Sequence, residues 1–447
     1  MTEPKFRVGI IGAGIGGLLL ALSLANSCDN IAVDVYESTA VLNEIGAGIG
    51  ISQRVWEILR HIGLEDEFLS ISYAKNHADT APLTLTFRRS DQPEGFFFLE
   101  TSIQFATYHR AHFQALLCKH LPKSCQIKFS KRLENYIESD SGEICLQFVD
   151  GSTATCDVLA GCDGIKSTVR RVLYQSLADK AIQDGNNAKA ADLLAQAKPV
   201  WSGRVVYRSL LSRDVLEHAC PGHPHLTRPY LRTGRDKHLI TFPISHGQKL
   251  NVSIYVFDAE KENTQYDSAA WMRKCSKDEF IASFSNFEPQ VTGLLNCLDD
   301  VSAWAIHTLP LLPTYVGDRI VLLGDAAHAM APFQGAGAGL AMEDGFILAS
   351  ILAHTHVTRD TLPRALQIYD SIRRPITQWV VQHSRATGDF YDLRAAGFDT
   401  LSDTKGALSE GQLAKISKSL DGMFEWHLNT SVMPDRDRAL ELLDAME

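Results

Sequence analysis

The hydrophobic positions at the start of the chain predict a strand, a tight turn, a helix and a second strand. The run FRVGIIGAG is almost continuously apolar, which is typical of a strand covered on both faces of a parallel sheet. The run IGGLLLALSLANS then predicts a helix, and IAVDVYES predicts the next strand. The chain therefore opens with a βαβ unit.

Apolar positions at helical or alternating spacing continue through the middle of the chain. Helices are predicted for SQRVWEILRHIGLEDEFLS and HRAHFQALLCKHL. The segment EICLQFVDGSTATCDVLAGCDG predicts two strands joined by a hairpin turn at Asp150 and Gly151. Three more strands are predicted from GRVVYRSLL, HLITFPIS and LNVSIYVFD, the last of which alternates as a half-solvated antiparallel strand does.

The later part of the chain combines a polar insertion, a buried strand and a helical end. LADKAIQDGNNAKAADLLAQAKP is rich in alanine and polar residues, so it predicts a helical insertion at the surface. RIVLL predicts a buried strand from Arg319, and the chain beyond it is helical. This order predicts an α/β fold in which a Rossmann-like parallel-sheet domain is interrupted by a mixed β-sheet domain and followed by C-terminal helices.

Length, composition and charge narrow the class of protein. The chain has 447 residues, of which 45% are hydrophobic and 21% charged, enough for two globular domains. Its net charge of -10 offers no basic face, so nucleic acid is not expected as a partner. The 9 cysteines have neither paired nor zinc-ligand spacing, so we expect no metal site and a reducing compartment, the cytoplasm.

The uncharged run at residues 8–25 has a second interpretation, as an export signal or a membrane anchor. Its ordered glycines favour a turn rather than a helix that spans lipid. We therefore expect no stable membrane insertion.

The turn after the first strand carries the dinucleotide-binding pattern GxGxxG, formed by Gly12, Gly14 and Gly17. The first glycine permits the tight turn, the second lets a pyrophosphate approach the backbone, and the third lets helix and strand pack closely. The helix N-terminus attracts phosphate, and Glu37 at the end of the second strand can accept a hydrogen bond from a ribose. The pattern alone does not distinguish NAD from FAD.

Three later segments favour the longer cofactor, FAD. EIGAGIGIS is a second glycine-rich loop beyond the acidic residue. LAGCDGIKSTVRR places Asp163 at the end of a predicted strand, although an Asp-Gly pair by itself is more often a plain turn. VLLGDAAHAMAPFQGAGAG brings Asp325 to the end of a buried strand, followed by small residues that permit close backbone approach.

These segments, in this order and at these separations, resemble the three fingerprints of the single-component flavoprotein aromatic hydroxylases. The resemblance covers about residues 6–393, and runs such as YRSL, LITFPI and YDSIRRP make the chain most similar to the salicylate hydroxylase type. It implies an FAD-binding domain of the para-hydroxybenzoate hydroxylase type. It also implies bound FAD, with NAD(P)H as a transient co-substrate and O2 as the oxidant.

The resemblance further implies which residues hold the flavin. They cover the ADP half, the pyrophosphate and ribityl chain, and the backbone beside the ring. Asp163 would serve both FAD and the visiting nicotinamide nucleotide, and Asp325 would accept from a ribityl hydroxyl. The implied set is Gly12, Gly14, Gly17, Glu37, Ala47, Gly48, Arg110, Asp163, Asp325, Gly335, Ala336, Gly337 and Ala338.

The order of the predicted elements, together with the resemblance, gives the expected domain boundaries. The FAD-binding domain is expected to be discontinuous, and the substrate domain to be a β-sheet inserted into it. The boundaries are 1–75, 101–180 and 300–360 for the FAD-binding domain, 76–100 and 200–299 for the substrate domain, 181–199 for the helical insertion, and 361–447 for the C-terminal helices.

The implied reaction is hydroxylation of a small phenolic aromatic acid through a flavin C4a-hydroperoxide. With an ortho-hydroxybenzoate, attack at the carboxyl-bearing carbon would release carbon dioxide and give a catechol. Arg208 aligns with an arginine that some relatives aim over the flavin, so it is the candidate catalytic residue, with a structural ion pair as the equal alternative. The expected pocket residues are Phe242, Pro243, Pro332 and Phe333, and for the first two core packing is the commoner alternative.

One position departs from the salicylate hydroxylase pattern, because Phe333 stands where that type carries a histidine. This departure speaks against histidine-assisted deprotonation and against salicylate itself. His328 and His307 remain near the predicted site, and we expect a structural role for His328. His246 could line the substrate layer, although an exposed turn fits it better.

Three alternatives to this function remain open at the level of sequence. The first is a monooxygenase of secondary metabolism that acts on a larger phenolic polyketide or isoprenoid. The second is a Rossmann-type binding module without catalysis. The third, a hydrolase that uses Asp325 and His328, is disfavoured because no GxSxG nucleophile signal is present. A monomer or a homodimer is expected.

Overall fold

The computed structural model describes residues 3–42, 48–71, 83–103, 106–244, 247–266, 270–395 and 410–446. The strands are β1 (Phe6–Ile11), β2 (Ile31–Tyr36), β3 (Gly48–Ile51), β4 (Leu83–Arg89), β5 (Phe96–Ile103), β6 (Ala106–His109), β7 (Ile127–Lys128), β8 (Leu133–Glu138), β9 (Ile144–Phe148), β10 (Thr153–Cys156), β11 (Val158–Gly161), β12 (Val200–Ser212), β13 (Tyr230–Gly234), β14 (Lys237–Ile244), β15 (Lys249–Phe257), β16 (Met272–Cys275), β17 (Val301–Thr308) and β18 (Ile320–Leu322).

The helices alternate with these strands in the first part of the chain and dominate its end. They are α1 (Ile15–Ser27), α2 (Gln53–His61), α3 (Glu65–Ile71), α4 (Arg110–Lys119), α5 (Thr168–Gln183), α6 (Asn187–Gln196), α7 (Arg213–Ala219), α8 (Asp278–Ile281), α9 (Pro289–Asn296), α10 (Asp325–His328), α11 (Gly337–Ala353), α12 (Leu362–Tyr391), α13 (Glu410–Asn429) and α14 (Met433–Asp444). Across the described ranges, none of them combines the length and the apolar character that a membrane crossing requires.

A five-stranded parallel sheet forms the centre of the first domain, in the order β18-β11-β1-β2-β7. Alternate residues of β1 point to opposite faces, so Val8 and Ile10 enter a core with α1 and α11, while Ile11 enters a second core. The second core contains α5, α6 and the three-stranded sheet β10-β9-β8. Both faces of the sheet are therefore covered, as the continuous apolar strands predict.

Helices α1 and α11 approach each other closely because small residues line their contact. A Cβ atom added at Gly345 would lie 3.0 Å from the carbonyl oxygen of Gly16 and 3.0 Å from the amide nitrogen of Leu20. A Cβ atom added at Gly16 would lie 3.0 Å from the Cβ of Ala341. Backbone atoms of the two helices thus nearly touch, which leaves no room for a larger side chain at these positions.

The second domain is built on an eight-stranded sheet in the order β16-β17-β12-β15-β14-β13-β4-β5. Neighbouring strands are antiparallel except β13 and β4, which run parallel. The face that carries Arg204, Val206 and Arg208, called the inner face below, packs against the end of α12. The opposite face, called the outer face, packs Tyr207 and Leu211 against α7, α8 and α9.

The structure differs from the sequence prediction in one strand count and in the sheet to which one strand belongs. The hairpin of β9 and β10 forms with Gly151 at a φ of +78°, but the chain then leaves that sheet and enters the parallel sheet as β11. The segment therefore holds three strands instead of two. Strand β17 begins at Val301, inside the range predicted for the FAD-binding domain, yet it pairs with β12 and β16 in the eight-stranded sheet. A strand's own pattern does not reveal its partner, which explains both differences.

Substituting alanine for one glycine of the helix contact tests this packing. Gly345→Ala should lower the free energy of unfolding by about 1–3 kcal/mol, because the new methyl group meets backbone atoms that cannot move aside. The measurement is urea unfolding of the purified protein. The matched control is Gly422→Ala in α13, where an added Cβ meets no atom within 4 Å. That exposed change should raise the free energy of unfolding by about 0.5–1 kcal/mol. Equal effects of the two substitutions would refute the close contact.

Candidate functional site

The three glycines of the turn after β1 have three different surroundings. Gly12 has a φ of +106°, and a Cβ added there would lie 2.3 Å from the carbonyl oxygen of Cys162. A Cβ added at Gly17 would lie 2.1 Å from the carbonyl oxygen of Gly12, so helix and turn require a glycine there. A Cβ added at Gly14 would meet nothing within 4 Å. The open space at Gly14 lies at the N-terminus of α1, where backbone N–H groups attract an anion.

Glu37 follows β2 and closes the same turn. Its Oε2 accepts a hydrogen bond from the Ala13 amide at 2.9 Å, and its Oε1 accepts from the amide and hydroxyl of Thr39 at 2.8 and 2.9 Å. Burial raises the pKa of Glu37, but these hydrogen bonds outweigh burial and the net pKa lies below its usual value. Glu37 is therefore an ionised acceptor beside the turn. Gln114 of α4 supports the turn from the other side by donating to the Ala13 carbonyl at 2.9 Å, a contact that the sequence does not reveal.

Asp163 lies just beyond the end of β11, beside the glycine turn. Its Oδ2 accepts hydrogen bonds from the amides of Thr168 and Val169, at 2.7 and 3.2 Å. Its Oδ1 is buried and has no hydrogen-bond partner among the described residues. Burial raises the pKa of this carboxyl group above its usual value. A buried acceptor without a partner indicates a ligand that completes the site.

Arg170 connects the loop of Asp163 to the loop of Asp325, a role that the sequence analysis misses. Its side chain is buried and donates to the carbonyl of Ala326 at 2.9 Å and to that of Ala197 at 2.9 Å, with a further bond to Ile165. Burial lowers the pKa of Arg170 to about 10, so the guanidinium stays charged at neutral pH. The two acidic loops are thereby fixed relative to each other.

Asp325 is the first residue of α10, directly after β18, and its side chain is exposed. Gly324 before it has a φ of +56°, which allows the sharp turn out of the strand. A Cβ added at Gly337, the first residue of α11, would lie 4.0 Å from the Oδ1 of Asp325. The carboxylate of Asp325 thus lies beside the N-terminus of α11.

The small residues before α11 border an open cleft. Gly335 has a φ of +63°, and a Cβ added there would meet nothing within 4 Å. Ala336 also lines this narrow cleft, together with Gly50, Ser52 and Trp426. Gly337 and Ala338 then begin α11. Within this run Gly335 is exposed, whereas Ala336 is buried.

The remaining implied flavin residues belong to a small two-stranded sheet. Gly48 begins β3 and pairs with His109 of β6, so it lies next to Arg110, the first residue of α4. Ala47 lies outside the described residues.

His328 pairs with Asp344 beneath the loop and does not act with Asp325. Its Nε2 lies 2.6 Å from the Oδ2 of Asp344, which also accepts from the Gly324 amide at 3.0 Å. Arg373 donates to the other oxygen of Asp344 at 2.8 Å. Burial raises the pKa of Asp344, but the charges of His328 and Arg373 outweigh burial and hold that pKa at about 2. His328 therefore has the structural role that the sequence predicts.

The same buried charges continue to the C-terminal helices. Glu343 accepts from the Nε and Nη2 atoms of Arg54, both at 2.9 Å, and lies 3.1 Å from Arg373. Arg54 also pairs with Asp435 of α14 at 2.8 Å. The network links α2, α11, α12 and α14 below the cleft.

Arg208 lies on the inner face of the eight-stranded sheet, opposite Ser253 and Ser302. Its Nε is buried without a hydrogen-bond partner, and its guanidinium lies 5.6 Å from the ring centre of Trp304. Across the described ranges, no carboxylate forms an ion pair with Arg208, so the structural ion pair that the sequence leaves open is not formed. Burial raises the pKa of Tyr255, and the nearby charge of Arg208 opposes that rise.

Two of the expected pocket residues point to opposite faces of the sheet. Phe242 pairs with Asn251 and therefore lies on the inner face. Pro243 pairs with Leu250, which packs in the cluster of the outer face. Successive residues of a strand alternate between faces, so Pro243 lies on the outer face, opposite Phe242.

Phe333 also differs from expectation, because its ring fills a core. It is 6% exposed, and its ring lies 5.5 Å from His238, 5.3 Å from Tyr255 and 5.2 Å from the guanidinium of Arg204. A Cβ added at Gly388 would lie 2.4 Å from the ring. Pro332 begins a short 3-10 helix, Pro332–Gln334, and is half-buried.

A second buried ionic cluster, which the sequence analysis misses, lies behind Phe333. Asp392 accepts from the Nε of Arg204 at 3.0 Å and lies 2.6 Å from the Nδ1 of His238. Its members come from two strands and the end of α12, and no local motif connects them.

His307 packs away from the acidic residues described above. His307 stacks on Trp271 at 3.6 Å between ring centres, and its Nδ1 lies 3.0 Å from the carbonyl oxygen of Ala305. His246 lies outside the described residues.

Comparison with known proteins identifies the family of the chain. Residues 5–384 match the family described as FAD binding domain. The chain is 35% identical to an FAD-dependent monooxygenase from Strobilurus tenacellus, over 87% of this chain and 89% of that protein. It is 34% identical to a salicylate hydroxylase from Pseudomonas putida, over 87% of this chain and 86% of that protein.

A solved structure of a salicylate hydroxylase substrate complex has the same fold. It superposes with a TM-score of 0.81 at 28% sequence identity, and the match covers 98% of both chains. The open space at Gly14, the partnerless oxygen of Asp163 and the exposed carboxylate of Asp325 all fit an extended FAD molecule. The chain therefore belongs to the FAD-binding domain family, among FAD-dependent monooxygenases similar to salicylate hydroxylase.

Proposed function

We propose that the protein is an NAD(P)H-consuming hydroxylase of a small phenolic aromatic acid of the salicylate type. The observation that carries this proposal is Arg208, a cation without a carboxylate partner in the described ranges, on the inner face of the eight-stranded sheet, in the same layer as Phe333 and the end of α12. Similarity to salicylate hydroxylases over most of the chain supports the same class of substrate.

The residues implied for FAD binding would position the cofactor along its length. The N-terminus of α1 would hold the pyrophosphate at Gly14, and Glu37 would accept from the ribose. Asp325 would accept from a ribityl hydroxyl, and Asp163 would use its free oxygen toward FAD or the visiting nicotinamide nucleotide. Bound FAD supplies hydride acceptance and oxygen activation.

Arg208 gives the site its selectivity for an anion. Its guanidinium would bind the carboxylate or the phenolate of the substrate, and a bound phenolate is more reactive toward an electrophilic oxygen than the phenol. Tyr255 stays protonated because burial raises its pKa, so it can donate to the same anion. The inner face thereby favours the charged form of the ring.

A second candidate substrate class follows from Phe333. The Phe333 ring packs against Gly388. A phenyl group has no basic atom, so it cannot remove a proton from a phenol. The alternative is a monooxygenase of secondary metabolism that hydroxylates a larger phenolic polyketide or isoprenoid. The expected cytoplasmic location and the monomer or homodimer stay predictions.

Substrate-stimulated oxidation of NADH and NADPH separates the two candidates. A panel of salicylate, other hydroxybenzoates, hydroxynicotinate and larger resorcinols is supplied to the flavin-loaded protein, and the peroxide released per reduced nucleotide is measured. We expect a monocyclic phenolic acid to accelerate oxidation with little peroxide. Acceleration only by the larger phenols would replace the first candidate with the second.

Removing the carboxylate of Asp325 tests its place in the FAD site. We expect Asp325→Ala to purify with little flavin, measured as the ratio of absorbance at the flavin band to absorbance of protein. The matched control is Asp318→Ala, an exposed aspartate that precedes the same strand. The control should keep full flavin content. Full flavin content in Asp325→Ala would refute the assignment.

Removing the charge of Arg208 tests its role toward the substrate. We expect Arg208→Met to lose about 100-fold or more in kcat/KM, as for other groups that stabilise a developing anion, with normal flavin content. The control is Arg228→Met, an exposed arginine at the edge of the same sheet that pairs with Glu100. Unchanged kcat/KM in Arg208→Met would exclude Arg208 from the reaction.

A further inference from the structure

Two histidines after α11 lie against the last turn of α14. His354 follows the final residue of α11, His356 comes two positions later, and Asp444 ends α14. The Nε2 of His354 lies 3.2 Å from the Oδ1 of Asp444. One ligand atom from each of the three residues lies within 4.8 Å of the other two. Helix α11 is about 25 Å long, so this cluster is far from the cleft at its N-terminus.

Hydrogen bonds around the cluster leave one histidine nitrogen available for a ligand. The Nδ1 of His356 lies 3.2 Å from the carbonyl oxygen of Leu443, to which an imidazole N–H would donate. The Nε2 of the same ring then carries a lone pair, an arrangement that metal-bound histidines commonly use. Lys5 holds the turn in place by donating to the carbonyls of Leu352 and His354, at 3.2 and 2.7 Å.

The ligand types fit zinc, and one of the ligand-to-ligand distances already does. Zinc binds imidazole nitrogen and carboxylate oxygen at about 2.0–2.2 Å, so neighbouring ligands of a tetrahedral site lie about 3.3 Å apart. The separation of 3.2 Å between the Nε2 of His354 and the Oδ1 of Asp444 is close to this value. The His354 Nδ1 accepts from the His356 amide at 3.4 Å, so the Nε2 carries a proton toward Asp444 that zinc would displace. The His354 side chain is 15% exposed and that of Asp444 is 70% exposed, so the ion can enter and keep a water molecule as its fourth ligand.

We propose that His354, His356 and Asp444 form a zinc-binding site that fastens α14 to the connection after α11. The same helix provides Asp435 to the buried partner Arg54, so zinc stabilises a helix that already contributes to the charge network. The pattern of cysteines and histidines in the sequence does not predict this site, because its third ligand comes from the distant end of the chain.

Zinc binding by the untagged, flavin-loaded protein tests this site directly. The protein is treated with EDTA, dialysed, and titrated with zinc chloride against a chromophoric zinc chelator. We expect one equivalent to bind, and affinity to fall about tenfold or more in His356→Gln and in Asp444→Asn. The matched control is His120→Gln, which removes a surface histidine that pairs with the single carboxylate of Glu67. The control should bind zinc as the wild type does.

Hydrogen exchange gives a second readout that does not depend on enzyme activity. Zinc should slow amide exchange in residues 433–444 of the wild type and of His120→Gln, but not of His356→Gln. Failure of the wild type to bind zinc, or equal binding by His356→Gln and Asp444→Asn, would overturn the proposal. The histidines would then serve only to cap the end of α14.

Discussion

The close contact between α1 and α11 is the constraint on which the site depends. Glycine at positions 16 and 345 lets the backbones of the two helices nearly touch. Because α1 begins directly after Gly14 and α11 begins two residues after Gly335, this contact fixes the distance between the turn at Gly14 and the run at Gly335. An extended cofactor would contact the turn at Gly14 and the run at Gly335 at the same time. Helix packing and cofactor binding therefore both require the close approach of α1 and α11.

Buried charge supplies the second constraint. Asp344 holds the Gly324 amide, His328 and Arg373 together, and Arg170 ties the neighbouring loop to Ala326. These buried groups form ion pairs and hydrogen bonds with one another, and those bonds hold the loops around Asp325 in place. Asp325 itself remains exposed. The two residues that resemble an acid-base pair in the sequence are therefore separate in the structure, since His328 is buried against Asp344 and Asp325 is exposed.

The parts of the site that were predictable from sequence are those with a local physical cause. The turn at Gly12 and the contact at Gly17 follow from a spacing that only one backbone geometry satisfies. The orientation of Pro243 and the burial of Phe333 depend on strands and helices far away in the chain, so a local pattern does not contain them. Gln114 is a missed residue of the same kind, because its partner is about a hundred positions away in the chain.

The central claim is that the fold holds a flavin so that one atom of molecular oxygen reaches a phenolic ring. The most direct measurement is turnover under ¹⁸O₂ with the substrate that accelerates NAD(P)H oxidation, followed by mass spectrometry of the product. The account predicts one ¹⁸O atom per product molecule and one reduced nucleotide consumed for each. A product without the label, or one labelled from ¹⁸O water instead, would contradict it.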